Sequence, residues 1–395
     1  MRIQKLVKVT MQRRLVLCCL LILLGTGRVR SSLVRQTLGS YPRAVCTDGS
    51  PAAYYHTAAF SEHELRHYSG YVIYLDGGGY CPSVRDCHLR CSIARNLCTE
   101  PLAETKESHG ILSDDVSNNP VMHDYYKVEL PYCTSDMFVG RRKGTDRTEG
   151  LNFAGKIVFD AMITSLKRIS GIAHAQNVVL SGSSAGGAGV VFLCEHLQRL
   201  LPRTTVWCVA DAAFFYPMTS PFRNDTTCES IDKVLQQGAS LWGAPEVGHF
   251  RLQSWWNDLL PTTRLFLGIA KFDVFGFESF CGDFNHPEEV DEWGEGIFPM
   301  TLRLLTERPD FGLFSAACRY HMILHSNSLF NRLKVGPAKL TYADALENWM
   351  KGKPRSSYQV WDICPRENFC NSECDNADGV PEQEAIERGA RDQIL

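Results

Sequence analysis

The chain has 395 residues, 44% of them hydrophobic and 22% charged, with a formal net charge of −3 at pH 7. That length and composition exclude a disordered chain and allow a substantial buried core. The charge balance, with no basic run longer than "GRRK" at Gly140 to Lys143, gives no electrostatic case for nucleic acid or an anionic membrane as partner.

At the N-terminus Arg13 and Arg14 precede "LVLCCLLILL" (Leu15 to Leu24), and Gly25, Thr26 and Gly27 follow. A basic stretch, a short apolar core and small residues predict a signal peptide over residues 1–30, removed on secretion. An uncleaved anchor tethering the chain to a membrane is the alternative. About ten apolar residues fall short of the roughly 20 that a spanning helix needs, so no stable membrane insertion is expected after cleavage. Residues 41–380 read as one folded domain and 381–395 as a polar tail.

Two of the 16 cysteines, Cys18 and Cys19, lie in the leader, leaving an even number for an oxidising compartment. Disulfides are the expected fate. The clusters Cys81, Cys87, Cys91, Cys98 and Cys364, Cys370, Cys374 could ligate a metal, but neither has paired C-x-x-C spacing, and no metal is expected. Asn224-Asp225-Thr226 is a glycosylation acceptor pattern at Asn224.

Along the chain, strand-like runs fall at "YVIYLDGGG" (Tyr71 to Gly79), "YYKVELPYC" (Tyr125 to Cys133), "NVVLSG" (Asn177 to Gly182), "TVWCVAD" (Thr205 to Asp211) and "RLFLGIAKFD" (Arg264 to Asp273). Between them "AGKIVFDAMITSLKRI" (Ala154 to Ile169) and "AGVVFLCEHLQRLL" (Ala188 to Leu201) repeat apolar residues every three or four positions, as helices do. This alternation predicts an α/β fold: a mostly parallel sheet covered by helices on both faces. Asn224 to Trp256, without clear periodicity, reads as an insertion over the sheet.

The chemistry concentrates at Gly182-Ser183-Ser184-Ala185-Gly186, a G-x-S-x-G between a strand-like and a helix-like run. That is the setting of a nucleophile elbow, whose central serine sits on a strained turn with its hydroxyl exposed. Ser184 is therefore the candidate nucleophile, and Ser183 should point elsewhere. The stretch lacks the Lys-Ser/Thr of a P-loop and does not spell G-x-G-x-x-G. Acyl transfer also needs oxyanion donors: Ala185 N–H after the nucleophile, and Gly78 and Gly79 in "DGGGYC", whose plainer reading is a tight turn before Cys81. In the order Ser, Asp, His, the acid is best placed at Asp273, closing a strand, ahead of Asp283, Asp291 and Asp310. His249, His286, His321 and His325 are all available as the base, with His321 and His325 preferred.

"CTDGSPAAYY" (Cys46 to Tyr55), "DGGGYC", "GILSDDVSNNP" (Gly110 to Pro120), "GSSAGG", "VADAAFF" (Val209 to Phe215), "CRYH" (Cys318 to His321) and "CPRENFCNSEC" (Cys364 to Cys374) occur in this order. In these seven motifs the chain resembles the pectin acetylesterase and Notum carboxylesterase family, from about Cys46 to Cys374. The resemblance implies a secreted, disulfide-rich α/β-hydrolase with Ser184, Asp273 and His321 as its triad, so that His321 rather than His325 is the base. It implies Gly78, Gly79 and Ala185 as the oxyanion hole, and neither metal nor organic cofactor.

The third glycine, Gly79, resembles the plant pectin acetylesterases, whereas Notum-type members carry a Trp after two glycines. "DGSPAAYY" and "GSSAGG" lean toward Notum. The leading expectation is a secreted serine carboxylesterase that deacetylates a polysaccharide. One alternative is a palmitoleoyl-protein carboxylesterase acting on a lipidated signalling protein, for which Phe214, Phe215, Trp242, Trp255, Trp256, Phe275 and Phe277 could line a deep acyl pocket. An alternative of another class is a catalytically inactive secreted binding module.

Overall fold

The computed structural model describes residues 32–58, 61–65, 67–214, 231–244, 255–273, 275–276, 287–364 and 370–374. The leader, Asn224 and the tail after Cys374 lie outside them, as do His249, Asp283 and His286.

The described strands are β1 (Ser32–Thr37), β2 (Ala53–His56), β3 (Tyr71–Leu75), β4 (Thr105–Glu107), β5 (Tyr126–Leu130), β6 (Asn177–Ser183), β7 (Thr205–Asp211), β8 (Leu265–Ala270), β9 (Gly312–Ala316) and β10 (Gln359–Trp361). They form one sheet in the order β10-β9-β8-β7-β6-β3-β5-β2-β1-β4. From β10 to β5 every neighbouring pair is parallel. The β5–β2, β2–β1 and β1–β4 pairs are antiparallel. The apolar runs of β3 and β8 are buried at every residue, which is what a parallel strand covered on both faces requires.

The longer described helices are α1 (Val84–Ile93), α2 (Gly155–Ile169), α3 (Ala185–Leu200), α4 (Ile231–Trp242), α5 (Pro287–Glu307), α6 (Asn327–Arg332) and α7 (Tyr342–Met350), beside a single turn at Glu62–Leu65 and short 3-10 turns. The period-two alternation of β3 sorts its side chains into two cores. Tyr71, Ile73 and Leu75 pack with Phe159 and Met162 of α2 and Leu193 and Leu197 of α3. Val72 and Tyr74 pack on the opposite face with Phe330 of α6 and Tyr342, Leu346 and Trp349 of α7. The expected α/β sheet with helices on both faces is thus the observed one.

Two expectations need adjustment. The run from Tyr71 to Gly79 is a strand only to Leu75, because Gly78 and Gly79 take positive φ (140° and 66°) and turn the chain out of the sheet. Within the stretch read as an aperiodic insertion, residues 231–242 are helical: Leu235, Ala239 and Trp242 are buried on one face at helical spacing. The polar and glycine positions between them, Gln236 to Gly238 and Ser240, obscured that period.

Both cysteine clusters are bridged. Cys81–Cys87 and Cys91–Cys98 clamp α1, Cys364 pairs with Cys370, and Cys374 pairs with Cys318. Cys46–Cys133 and Cys194–Cys208 bring the described disulfides to six, the second tying α3 to β7. Among the described residues no helix is long and apolar enough to cross a membrane.

Candidate active site

The strand-turn-helix at β6, Ser184 and α3 supplies the centre of the site. Ser184 caps the helix with φ 56° and ψ −124°, a conformation that L-residues with a side chain rarely adopt. Strand and helix can fold back this tightly because the flanking residues lack side chains. A Cβ on Gly182 would stand 2.6 Å from the Gly186 carbonyl oxygen, and one on Gly186 would overlap the Leu75 carbonyl. Ala185 begins α3 and is buried; its N–H belongs to the first turn, which has no intrahelical acceptor and lies at the positive end of the helix dipole.

Asp273 lies three residues past the end of β8, buried at 5% exposure. Its carboxylate accepts from Phe275 N and Gly276 N at 3.0 Å and meets His321 Nδ1 at 2.8 and 2.9 Å. Burial opposes the imidazolium, but the charge and hydrogen bond of Asp273, with a further contribution from the Asp211 charge, outweigh it and hold His321 above its ordinary pKa. His321 also packs against the Phe275 ring at 5.0 Å.

Ser184, Ala185, Asp273 and His321 line one cavity of about 90 Å³ with Gly79, Tyr80, Phe214 and Trp293. His325 does not join them. It stacks on Tyr74 in the opposite core at 5.2 Å, where burial pushes its pKa down to about 4. Asp310 pairs instead with Arg308 at 3.0 Å, and Asp291 sits on α5. The tertiary arrangement thereby separates the four histidines and four acids that chain order left open, as far as they are described.

The glycine loop after β3 lies against the elbow. A Cβ on Gly77 would be 3.1 Å from Ser184 Cβ, so the two chains are in van der Waals contact. Gly79 lines the cavity, while Gly78 is set back from it, its carbonyl accepting from Arg90 Nη2. Arg90 Nε donates to Ser135 Oγ at 2.9 Å, and this buried guanidinium fastens the loop to the disulfide-clamped α1. Sequence reasoning missed Arg90; its position on an unremarkable helix offered no signal.

The aromatic residues divide. Phe214 lines the cavity and Phe275 packs on His321. Trp242 is buried, donating to the Cys81 carbonyl at 3.0 Å, and Trp255 and Trp256 are fully buried outside the cavity wall. Phe215 and Phe277 lie outside the described residues.

A mostly parallel sheet with a strained serine at a strand-to-helix turn, sharing a cavity with a histidine–aspartate pair, defines the α/β-hydrolase class. The crystal structure of the Wnt deacylase Notum from Drosophila has the same fold, with a TM-score of 0.73 over 87% of this chain and 99% of that one at 24% identity. Pectin acetylesterase 7 of Arabidopsis thaliana is 26% identical over 390 residues, covering 89% of this chain and 94% of that protein. The palmitoleoyl-protein carboxylesterase notum1' of Xenopus laevis is 30% identical over 372 residues, covering 83% and 72% respectively. The pectinacetylesterase family profile matches residues 29–253. The chain belongs to the pectinacetylesterase family and is a carboxylic ester hydrolase.

Proposed function

We propose that the chain is a secreted serine carboxylesterase that removes a short O-acyl group, acetyl foremost, from a polysaccharide, through a single catalytic domain over residues 41–380. Ser184 Oγ attacks the ester carbonyl while His321 takes its proton at Nε2 and then returns it to the leaving alcohol. Asp273 holds the proton on Nδ1 and stabilises the imidazolium. The oxyanion accepts the N–H groups of Ala185 and Gly79, which line the cavity, each such donor contributing about 2.7–4 kcal/mol to lowering the barrier. Water then hydrolyses the acyl-serine through the same base.

Supporting these roles are the Asp273–His321 pair at 2.8 Å, the left-handed φ of Ser184 and the shared cavity. The single observation that carries the acyl assignment is the cavity's size. At about 90 Å³ among the described residues it is smaller than the roughly 150 Å³ apolar cavity that admits one benzene ring, a size that suits a short acyl group.

The test is a chain-length profile on purified protein with p-nitrophenyl acetate, butyrate and octanoate, alongside Ser184→Ala. We expect kcat/KM to be highest for acetate and to fall with length, with Ser184→Ala inactive on all three. Preference for octanoate would overturn the short-acyl assignment and favour the palmitoleoyl reading. Activity retained by Ser184→Ala would remove Ser184 from the nucleophile role.

A further inference from the structure

Ser183 and Ser184 are adjacent, yet only Ser184 reaches the cavity. The Ser183 hydroxyl is fully buried and donates to Asp211 Oδ2 at 2.7 Å. The same carboxylate oxygen accepts the backbone N–H groups of Ile323 at 2.8 Å and Leu324 at 3.2 Å, in the loop that carries His321. The Asp211 main-chain carbonyl in turn accepts from Ser184 N at 2.9 Å. One residue at the end of β7 therefore bonds both to the turn that presents the serine and to the loop that presents the histidine.

We infer that Asp211 is a positioning residue, whose carboxylate locks the His321 loop to the Ser184 turn and sets the separation of the two side chains. The inference rests on the roles proposed above for Ser184 and His321. Two loops leaving different strands have no covalent reason to keep their relative placement, and an error of about 1 Å between reacting groups can cost two orders of magnitude in rate. Three donors converging on one buried oxygen is the arrangement that keeps such a charge in the interior, because each hydrogen bond offsets part of its lost hydration.

The surroundings are consistent with a retained anion. Burial pushes the Asp211 carboxyl up to about 6, against the opposing hydrogen bonds of Ser183, Ile323 and Leu324 and the nearby His321, which leaves it ionised at neutral pH. The other titratable groups facing it, Tyr74 and Tyr342, are held neutral because burial raises both phenols well above their ordinary value. His321 itself is faced by two carboxylates, Asp273 and Asp211. On the neighbouring strand a Cβ at Gly268 would lie 2.6 Å from Asp211 Oδ1 and 2.7 Å from the Tyr342 hydroxyl, so β8 leaves room for the carboxylate only with glycine there. Oδ1 has no hydrogen-bond partner among the described residues, which gives the amide group of an asparagine a place beside the Tyr342 oxygen while its carbonyl takes over the role of Oδ2.

The test compares Asp211→Ala, Asp211→Asn and Ser183→Ala with wild type, measuring kcat, KM, Tm and the pH profile of kcat/KM on p-nitrophenyl acetate, with Ser184→Ala as control. Removing the lock in Asp211→Ala should lower kcat about 100-fold with KM within about threefold. Asp211→Asn keeps the acceptor and should recover kcat to within about tenfold of wild type, while the acidic limb moves to lower pH because one anion facing His321 is gone. Ser183→Ala should lose about fivefold in kcat, the worth of one hydrogen bond, with the limb unmoved. A folded Asp211→Ala with kcat within threefold of wild type overturns the inference, as does an Asp211→Asn that loses as much as Asp211→Ala with no shift of the limb. Where Asp211→Ala does not fold, an Asp211→Asn that loses about 100-fold in kcat with an unmoved limb overturns the inference, as does a Ser183→Ala with wild-type kcat. Wild-type rates in Ser184→Ala would instead refute the proposed nucleophile, and the inference with it.

Discussion

Replacing Asp273 by Asn should cost far more than removing a charge, and the reason lies in how its two oxygens are held. Oδ1 accepts from Phe275 N and Gly276 N at 3.0 Å, so an asparagine would place its carbonyl oxygen there and its amide nitrogen at the Oδ2 position, 2.8 Å from His321 Nδ1. An amide N–H pointing at Nδ1 forces the imidazole proton onto Nε2, the atom that must accept the Ser184 proton. The wrong tautomer in a serine triad costs about 10⁴ in kcat, or about 5.4 kcal/mol of barrier. The pH profile gives an independent sign. Asp273 is the main group opposing desolvation at His321, so without its charge the pKa falls and the acidic limb of kcat/KM moves to lower pH. Linkage gives a further sign. Because the folded pKa of His321 is raised, its stabilising contribution is full below the unfolded value of about 6.5 and is lost as pH rises through the folded pKa. The assay is kcat and kcat/KM for p-nitrophenyl acetate between pH 4.5 and 9, with circular dichroism to confirm folding. A folded Asp273→Asn retaining more than a tenth of wild-type kcat, or an acidic limb that does not move down, would refute the reasoning.

Two further outcomes follow from packing. Gly186→Ala places a methyl group against the Leu75 carbonyl, in backbone that has little room to move; the overpacking should cost about 1–3 kcal/mol, read as a lowered urea midpoint, and should slow fluorophosphonate labelling. A midpoint equal to wild type would show that strand and helix are not in close contact there. Replacing both Cys46 and Cys133 by Ala opens a loop with a sequence separation of 87 and should lower unfolding free energy by about 4–5 kcal/mol in denaturant titration, with a loss under 1 kcal/mol contradicting the bridge's role.

Much of the frame was legible because it rests on local rules. The strands β3, β5, β6, β7 and β8 announce themselves as apolar runs, and α2 and α3 by their three-and-four spacing. The short strands β1, β4 and β10, the last two at the edges of the sheet, carry no such signature, since a strand with polar, partly exposed positions looks like loop until its neighbour supplies the hydrogen bonds. The elbow was legible for a related reason: Gly182 and Gly186 are demanded by contacts a few residues away. Arg90 and Asp211 were not, because each acts on segments far along the chain. Arg90 meets Ser135 from 45 residues away, and Asp211 meets Ile323 from 112 residues away.

Sequence alone determined the elbow serine, the glycine loop, the even set of cysteines beyond the apolar N-terminal run and the parallel α/β plan, all of which follow from residue type and short-range spacing. Residue types and chain order left His321 and His325 as equal candidates, and only motif resemblance separated them. The tertiary structure gives the physical reason. A turn of chain that sends His321 toward Asp273 and the cavity sends His325 into the opposite core against Tyr74. It also decided the volume of the cavity and the carboxylate that joins its two sides, since both depend on where segments distant in sequence come to rest.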